Sequence, residues 1–375
     1  MTEPKCPFFR MCGGCTAQHI SYELQLENKK KLLISQIKFS EIKVFSGSEY
    51  GYRNRMDFIF HSGGLGFREK DKWWKIIDVD NCVISDDKVN ELLSELREFF
   101  KDADWFDVKK HTGTFRYAVI RTATEGVTVS IVLNEDSSRL SEAVSRIKEY
   151  AGRSKADNVL GCYVPSNTDV SISANYFTVK GDDYLLQNYL GKSFSYSAQG
   201  FFQNNHSMAE KMQAYVHNLL RQHKTHDAHL LDLYAGVGTF GIINASLFKG
   251  VTIVEGVKEC IGSAEKNLAD NGIGNAKAVL LDAMQLKKLE FPHELFVITD
   301  PPRSGMHEKT IEQLKKLRPK VIIYVSCNVL QLGKDIPKFK GYSVKSAALF
   351  DLFPQTPHSE AVVELVLDGR VSESS

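Results

Sequence analysis

The sequence Val321-Ile322-Ile323-Tyr324-Val325-Ser326-Cys327-Asn328 decides the fold of the C-terminal half of the chain. Its apolar, β-branched start predicts a buried parallel strand, and Cys327 stands where that strand ends. In open α/β sheets, ligands bind outside the carboxyl ends of the strands. We therefore take Cys327 as a candidate nucleophile, with a structural cysteine at a strand end as the alternative interpretation.

Strands and helices alternate around this stretch, from residue 196 onward. The strand candidates are 229–234, 251–255, 276–281, 295–299 and 320–325, and the helix candidates are 206–222, 239–248, 258–271, 307–317 and 328–337. Two further strands, Tyr342–Phe350 and Glu360–Leu367, follow without a helix between them. The pattern predicts a doubly wound α/β fold, a Rossmann-like sheet with an antiparallel C-terminal hairpin at its edge. The tail 371–375 is expected to be frayed.

Two further parts are predicted before the α/β domain of residues 196–375. Residues 1–45 form a small N-terminal segment with a cysteine cluster and one helix, and residues 46–195 form a central α+β domain. The central domain is rich in arginines and aromatic residues, which suit phosphate contacts and base stacking, so RNA is a candidate partner. These residues are Arg53, Arg55, Phe67, Arg68, Trp73, Trp74, Arg116 and Tyr117.

The composition is that of a soluble globular protein. The 375 residues are 43% apolar and 25% charged, with a net charge of +1. No apolar run approaches the roughly 18 residues of a membrane helix, and the N-terminus lacks the apolar core of a signal peptide. Seven cysteines, an odd number, favour a reducing compartment over a disulfide framework. We therefore expect a cytoplasmic protein without membrane association.

The cysteines of the N-terminal segment predict a metal centre. Cys6, Cys12 and Cys15 give the spacing C-x5-C-x2-C, with two glycines in the turn. Three thiolates need a fourth ligand, and Cys82, just after a predicted strand, is the best candidate. Zinc and a 4Fe–4S cluster are both compatible with four thiolates, and the spacing does not choose between them.

A glycine-rich loop, Tyr234-Ala235-Gly236-Val237-Gly238-Thr239, joins the first strand of the α/β domain to a helix. Glu255 ends the next strand, where a carboxylate would bind a ribose diol. Asp282 ends the third strand, where it would accept a hydrogen bond from an adenine amine. A carboxylate such as Asp232 disfavours a pyrophosphate at this loop. The features favour S-adenosylmethionine, with NAD as the weaker alternative.

The run Asp300-Pro301-Pro302-Arg303 follows the fourth strand. Methyltransferases that act on exocyclic amines carry an aromatic residue after the two prolines, so Arg303 argues against that reaction. Methylation of a pyrimidine at C5 needs a thiolate that adds to C6, a methyl donor, and a base that removes the C5 proton. Cys327 and Glu360 supply the thiol and the base near one sheet edge. The alternative interpretation of Glu360 is a surface acid on an edge strand.

Taken together, these runs resemble the RNA uracil-C5 methyltransferase family of tRNA and 23S rRNA enzymes, over nearly the whole chain. The motifs that carry the resemblance are the cysteine set, Phe201-Phe202-Gln203-Asn204, Asp232-Leu233-Tyr234-Ala235-Gly236-Val237-Gly238, Asp300-Pro301-Pro302-Arg303, Ser326-Cys327-Asn328, and Asp351-Leu352-Phe353-Pro354 through His358 to Glu360. Val329 and Ser359 depart from the family pattern, and neither departure removes a functional group.

The resemblance implies a function for each motif. Cys327 is then the nucleophile and Glu360 the proton acceptor. The implied S-adenosylmethionine contacts are Gln203, Tyr234, Gly236, Thr239, Glu255, Asp282 and Asp300. The resemblance also implies a 4Fe–4S cluster rather than zinc, held by Cys6, Cys12, Cys15 and Cys82.

The stretches 66–69 and 72–76 look most like the archaeal branch of the family. The resemblance therefore implies methylation of the T-loop uridine, position 54, of tRNA, with a 23S rRNA uridine as the alternative. We expect a monomer that captures RNA without the small β-barrel domain that many relatives carry before the cysteine cluster.

Three other hypotheses are weaker. A non-catalytic iron–sulfur RNA-binding protein would lack a catalytic group, whereas Cys327, Glu360 and Gln203 are all present here. A cytosine-C5 enzyme typically has a second cysteine after the fourth strand, and the run Pro301-Pro302-Arg303 has none. An NAD enzyme would not bind S-adenosylmethionine at Gly236 and Glu255.

Overall fold

The computed structural model describes residues 2–291 and 294–369, so the tail 371–375 lies outside the described residues. The first elements are helix α1 (Tyr22–Ile37) and strand β1 (Ile42–Phe45). Ser21 caps α1, because its hydroxyl accepts a hydrogen bond from Leu24 N. Among the described residues, no helix is both long enough and apolar enough to cross a membrane.

The central domain is built on a seven-stranded sheet with two helices on it. Its elements are β2 (Arg55–His61), β3 (Gly64–Glu69), β4 (Lys72–Asp78), α2 (Asp87–Phe99), β5 (Phe115–Thr122), β6 (Val127–Asn134), α3 (Leu140–Arg153), β7 (Asn158–Val164) and β8 (Tyr176–Lys180). The strand order is β4-β3-β2-β5-β6-β7-β8, and β6–β7 is the parallel pair. Apolar residues of α2 and α3 share one buried core with the sheet, as expected of an α+β domain.

A hairpin connects the central domain to the C-terminal domain. Its strands are β9 (Tyr184–Tyr189) and β10 (Lys192–Ser197). Tyr189 and Phe194 are buried in the core of the C-terminal domain. Asn267 of that domain holds the hairpin through hydrogen bonds to both backbone groups of Ser195. The hairpin also pairs with the central domain through the bridge Glu125↔Leu186, so the boundary expected after residue 195, which lies within β10, stays a prediction.

The C-terminal domain is a Rossmann-like sheet flanked by helices. Its elements are α4 (His206–Leu220), β11 (His229–Leu233), α5 (Thr239–Asn244), β12 (Gly250–Glu255), α6 (Lys258–Asp270), β13 (Ala276–Leu280), β14 (Leu295–Thr299), α7 (Glu308–Leu317), β15 (Val321–Ser326), α8 (Val329–Asp335), β16 (Tyr342–Phe350) and β17 (Glu360–Leu367). Short 3-10 turns lie at Ala245–Leu247, Ala283–Lys288 and Ile336–Lys338. The strand order is β13-β12-β11-β14-β15-β17-β16-β1, and β17 runs antiparallel to both neighbours. The order reverses between β11 and β14, which is the position where such sheets bind ligands.

The expectation that the C-terminal hairpin forms the edge of the sheet is wrong in one respect. Strand β17 lies inside the sheet, and β16 is covered by β1, which pairs with it in parallel from Ile42↔Ala347 to Phe45↔Phe350. A four-residue strand so distant in sequence gives no local signal of its partner. By pairing with β16, β1 covers backbone groups that would otherwise form an open edge.

Helix α1 is tied to the loop that precedes Glu360. Lys29 Nζ lies 2.6 Å from Asp351 Oδ1, and both side chains are buried. Gln25 Nε2 donates to Gln355 Oε1 at 3.0 Å, and Gln25 Oε1 accepts from Gln355 N at 3.1 Å. The first forty residues therefore support one side of the candidate active site.

Candidate active site

Cys327 and Glu360 lie at the same edge of the C-terminal sheet. Strands β15 and β17 are antiparallel, and their pairing at this edge reaches Ser326 and Ala361. One further step in this register sets Cys327 opposite Glu360. Glu360 is buried, and Cys327 is partly exposed. The structure thus brings together the two residues that the sequence suggested as nucleophile and proton acceptor.

Burial and a third acid, Asp300 at the end of β14, set the electrostatics of this pair. Burial, followed by the carboxyls of Glu360 and Asp300, raises the pKa of the Cys327 thiol to about 11. Burial and Asp300 hold the pKa of Glu360 well above its usual range. Burial also raises the pKa of Asp300 to about 7. Negative charge on Cys327, Glu360 and Asp300 is therefore unfavourable, and a cation that enters the site favours the ionised forms of these groups.

Arg303 and His358 are candidates that the sequence interpretation left without a role. Arg303 Nη2 lies 3.3 Å from His358 Nδ1, and Asn328 Nδ2 donates to the Arg303 carbonyl oxygen at 2.9 Å. Although burial raises the pKa of Cys327, the Arg303 guanidinium acts to lower it. The sequence signal for Arg303 is its place after two prolines.

The glycine-rich loop between β11 and α5 has a left-handed backbone at three positions. The φ angles of Tyr234, Gly236 and Gly238 are 60°, 54° and 84°. Residues other than glycine seldom adopt such positive φ angles. Glu255 Oε2 accepts a hydrogen bond from Gly236 N at 3.0 Å, and Oε1 accepts from the N–H groups of Gly256 and Val257 at 2.7 and 2.9 Å. Backbone donors from the glycine-rich loop and from the turn after β12 therefore hold the Glu255 carboxylate in place at the strand end.

Asp232 supports this loop from within the sheet. Its Oδ2 accepts a hydrogen bond from Gly241 N at 2.7 Å, and the side chain is buried. Burial raises the pKa of Asp232 to about 7. Its role in the structure is to fix the start of α5 against the end of β11.

The other predicted cofactor residues lie around the same strand ends. Asp282 Oδ1 accepts from Met284 N at 2.7 Å and so caps the turn after β13. Burial raises the pKa of Tyr234, and the carboxylates of Asp282 and Glu255 add to the rise, so these three side chains share one region.

Two of the predicted cofactor residues are held by neighbouring side chains. Thr239 Oγ1 accepts from Gln213 Nε2 at 3.1 Å. The Gln203 carbonyl oxygen accepts from Asn54 Nδ2 at 3.2 Å, which ties this motif to the central domain.

The four predicted metal ligands face one cavity. Cys6, Cys12, Cys15 and Cys82 are free thiols that line a cavity of about 570 Å³. Burial raises the pKa of Cys6, Cys12 and Cys15, the last to about 12, and the Cys82 sulfur adds to each rise. In the described part of the chain, no three cysteine, histidine or acidic side chains stand close enough together to hold one metal ion. The thiols therefore share a cavity, but not the tight geometry of a single tetrahedral ion.

Comparison with known proteins identifies relatives along nearly the whole chain. The family model described as tRNA (Uracil-5-)-methyltransferase matches residues 21–367. The tRNA (uracil(54)-C(5))-methyltransferase of Pyrococcus abyssi is 32% identical over 368 residues, which cover 97% of this chain and 86% of that enzyme. An uncharacterised RNA methyltransferase of Caldanaerobacter subterraneus is 34% identical over 380 residues, which cover 96% of this chain and 84% of that protein.

A solved structure shows the same fold. The crystal structure of the Pyrococcus abyssi tRNA (uracil-54, C5)-methyltransferase in complex with S-adenosyl-L-homocysteine matches with a TM-score of 0.80 and 30% sequence identity. The match covers 95% of this chain and 86% of that chain. The predicted fold class is therefore confirmed, and so is the resemblance found in the sequence. This protein is a methyltransferase enzyme that belongs to the tRNA (uracil-5-)-methyltransferase family.

Proposed function

We propose that this enzyme transfers the methyl group of S-adenosylmethionine to C5 of uridine 54 in tRNA. The observation that carries the proposal is the position of the Cys327 thiol and the Glu360 carboxyl at the same edge of the sheet, where burial and then this carboxyl raise the pKa of the thiol. The relatives named for uridine 54 support tRNA over 23S rRNA as the substrate. The enzyme is expected to act as a monomer in the cytoplasm.

In the proposed reaction, Cys327 and Glu360 act in sequence on the uracil ring. The Cys327 thiolate adds to C6, and the C5–C6 electron pair moves toward C5 and the O4 carbonyl as an enolate. S-adenosylmethionine supplies the electrophilic methyl group, and S-adenosylhomocysteine leaves. Glu360, once its own proton has passed to solvent, then takes the C5 proton, the ring double bond reforms, and the S–C6 bond breaks to return the thiolate.

The charges in the site explain how a thiol with a raised pKa could react. Burial raises the pKa of Cys327, so the thiolate needs positive charge nearby. The Arg303 guanidinium already acts to lower this pKa. The sulfonium of S-adenosylmethionine would add a second positive charge. We therefore propose that the nucleophile is ionised mainly after the methyl donor has bound.

The affinity for S-adenosylmethionine should depend on pH through Asp300, whose pKa burial raises to about 7. Above this pH the carboxylate attracts the sulfonium, and below it the cation must expel a proton to bind. From pH 8 to pH 6 the affinity should fall about tenfold relative to that for S-adenosylhomocysteine, which is uncharged at sulfur. Isothermal titration calorimetry with both ligands measures this ratio.

The Asp300→Asn variant is the control for this prediction. It should remove the difference between the two ligands, because an amide does not titrate. It also separates Asp300 from Asp232, whose pKa burial likewise raises to about 7. If the two ligands respond equally to pH in the wild-type enzyme, Asp300 does not face the sulfonium.

The substrate assignment is tested by methyl transfer in vitro. The purified enzyme is incubated with radiolabelled S-adenosylmethionine and with separate unmodified tRNA and 23S rRNA transcripts, and the modified nucleotide is mapped. We expect 5-methyluridine at position 54 of tRNA. A modified 23S rRNA uridine would favour the alternative substrate, and no transfer to either RNA would contradict the proposal.

We also propose that Cys6, Cys12, Cys15 and Cys82 hold a 4Fe–4S cluster. The four free thiols line one cavity of about 570 Å³, and four cysteine thiolates are the usual ligand set of such a cluster. The raised pKa values of Cys6, Cys12 and Cys15 mean that metal binding must release protons, as thiolate ligation does. The cluster would stabilise a segment that has little apolar core of its own.

Cys82→Ser should remove the cluster. The wild-type protein purified without oxygen should contain about four iron atoms per chain and absorb in the visible range. The variant should lose both signals and melt at a lower temperature, because the N-terminal segment loses its anchor on the central domain. Cys260→Ser, which changes a cysteine outside the cavity, should keep both signals. Stoichiometric zinc in the wild-type protein would contradict the assignment.

A further inference from the structure

The three tryptophans of the chain are exposed on the central domain. Trp73, Trp74 and Trp105 are 54%, 43% and 38% exposed. The rings of Trp73 and Trp74 are 5.9 Å apart and nearly perpendicular. Trp74 and Trp105 line a cavity of about 210 Å³, which we call the tryptophan cleft. Large aromatic side chains that remain exposed together usually mark a binding site.

The charged side chains that line the tryptophan cleft are the cations Arg68, Lys109 and Arg116 and the carboxylates Asp107 and Asp169. Lys109 Nζ lies 4.7 Å from the centre of the Trp74 ring, and the Arg116 guanidinium lies 4.1 Å from that of Phe106. Residues 68–75 carry four basic and two acidic side chains, and residues 105–111 carry two basic and one acidic. These two stretches thus hold an excess of three positive charges, although the whole chain has a net charge of only +1. Aromatic rings with surrounding cations are the combination that binds unpaired nucleotides.

The tryptophan cleft adjoins the larger cavity that contains the four cysteines. Arg68 lines both this cleft and the larger cavity that contains the four cysteines. Phe201 and Asn204, from the same motif as Gln203, also line the larger cavity. The tryptophan cleft and the larger cavity are therefore neighbours that share Arg68.

The position of the cleft is fixed by its neighbours. Arg68 Nη2 donates to both oxygens of Asp169 at 2.7 and 2.8 Å, and its Nη1 donates to the Trp73 carbonyl oxygen. The cysteine segment is bonded to the β3–β4 hairpin, which carries Arg68 and Trp73, with Gly13 N donating to the Arg68 carbonyl oxygen at 3.1 Å. Pre-formed stacking surfaces reduce the entropy that binding must overcome.

We propose that Trp74 and Trp105 bind an unpaired base of the substrate RNA, a base other than the uridine that is methylated. The inference rests on the proposed function, because it takes RNA as the substrate. A neutral planar base suits the aromatic walls, and the cations around the cleft suit the phosphates beside it. The cleft then holds a second point of the RNA while the target base turns toward Cys327.

Intrinsic fluorescence tests this proposal directly. The tryptophans of the chain are Trp73, Trp74 and Trp105, so the emission reports on the tryptophan cleft and on Trp73 beside it. Addition of an unmodified tRNA transcript should quench the emission in a saturable manner, and an RNA duplex without unpaired bases should quench it much less. Equal quenching by both RNAs, or none by a tRNA that binds and is methylated, would overturn the proposal.

Substitutions give the second measurement. Trp74→Ala and Trp105→Ala should each weaken tRNA binding between about 5-fold and about 150-fold, with the loss in KM rather than in kcat. Trp74→Phe should recover most of the affinity, because it keeps a stacking ring. Leu24→Ala, which changes an exposed apolar residue on α1, should match the wild-type enzyme.

The outcomes separate this inference from the proposed function. Wild-type affinity in both alanine variants, with the same melting temperature, would overturn the proposed role of the tryptophan cleft in RNA binding. The proposed methyl transfer to tRNA would stand, and the exposed aromatic residues would then suit a protein partner. If the wild-type enzyme neither binds nor methylates RNA, both proposals are wrong.

Discussion

Replacement of Cys327 with alanine should reduce methyl transfer to tRNA by at least about 10³-fold. Without the thiolate, C5 of uracil is not activated toward the methyl group, and none of the other cysteines shares the strand end after β15. Transfer of a labelled methyl group, followed over a long incubation with enzyme in excess, measures the residual rate.

Binding measurements distinguish a lost nucleophile from a lost fold. Cys327→Ala should bind tRNA and S-adenosylmethionine within a few-fold of the wild-type affinities and should keep its melting temperature, because the Cys327 side chain is partly exposed. Cys260→Ala is the matched control and should retain full activity. Turnover at the wild-type rate in Cys327→Ala would end the proposed mechanism.

Replacement of Glu360 with glutamine should trap the reaction after the methyl group has been transferred. Addition of Cys327 and methylation of C5 do not need the base, but release does, because the C5 proton must leave before the S–C6 bond can break. The steady-state rate should fall about 10²- to 10⁴-fold. A protein–RNA species that resists denaturing electrophoresis and carries the labelled methyl group should accumulate.

Glutamine suits this test because the site already favours an uncharged group at position 360. Burial and Asp300 hold the pKa of Glu360 well above its usual range, so the amide resembles the form present before the cofactor binds. Glu308→Gln, on the exposed start of α7, should behave as wild type. If Glu360→Gln is slow and no covalent species forms, Glu360 acts before methyl transfer rather than after it.

Much of the C-terminal domain could be predicted from local patterns. Apolar β-branched runs located the parallel strands, and the bounds of β16 and β17 agree with the structure to the residue. The rule that ligands bind at carboxyl strand ends then grouped Glu255, Asp300 and Cys327. These features are predictable because each depends on residues that are close together in sequence.

The features that the sequence did not reveal depend on distant contacts. Strand β1 is four residues long, and its pairing with β16 has no sequence signal. The same holds for Lys29, which lies in a run of three lysines typical of a solvated helix face but is buried against Asp351. The position of Arg303 beside His358 likewise arises from the approach of two loops.

The tie between α1 and the loop before Glu360 has a consequence for biosynthesis. Lys29 and Asp351 are 322 residues apart, so the start of the chain leaves the ribosome long before its partner is translated. Until Asp351 and β16 have been translated, Lys29 lacks its counter-ion and β1 lacks its partner strand. A nascent chain that stops early would display an unpaired β1, which chaperones and proteases recognise in unfinished proteins.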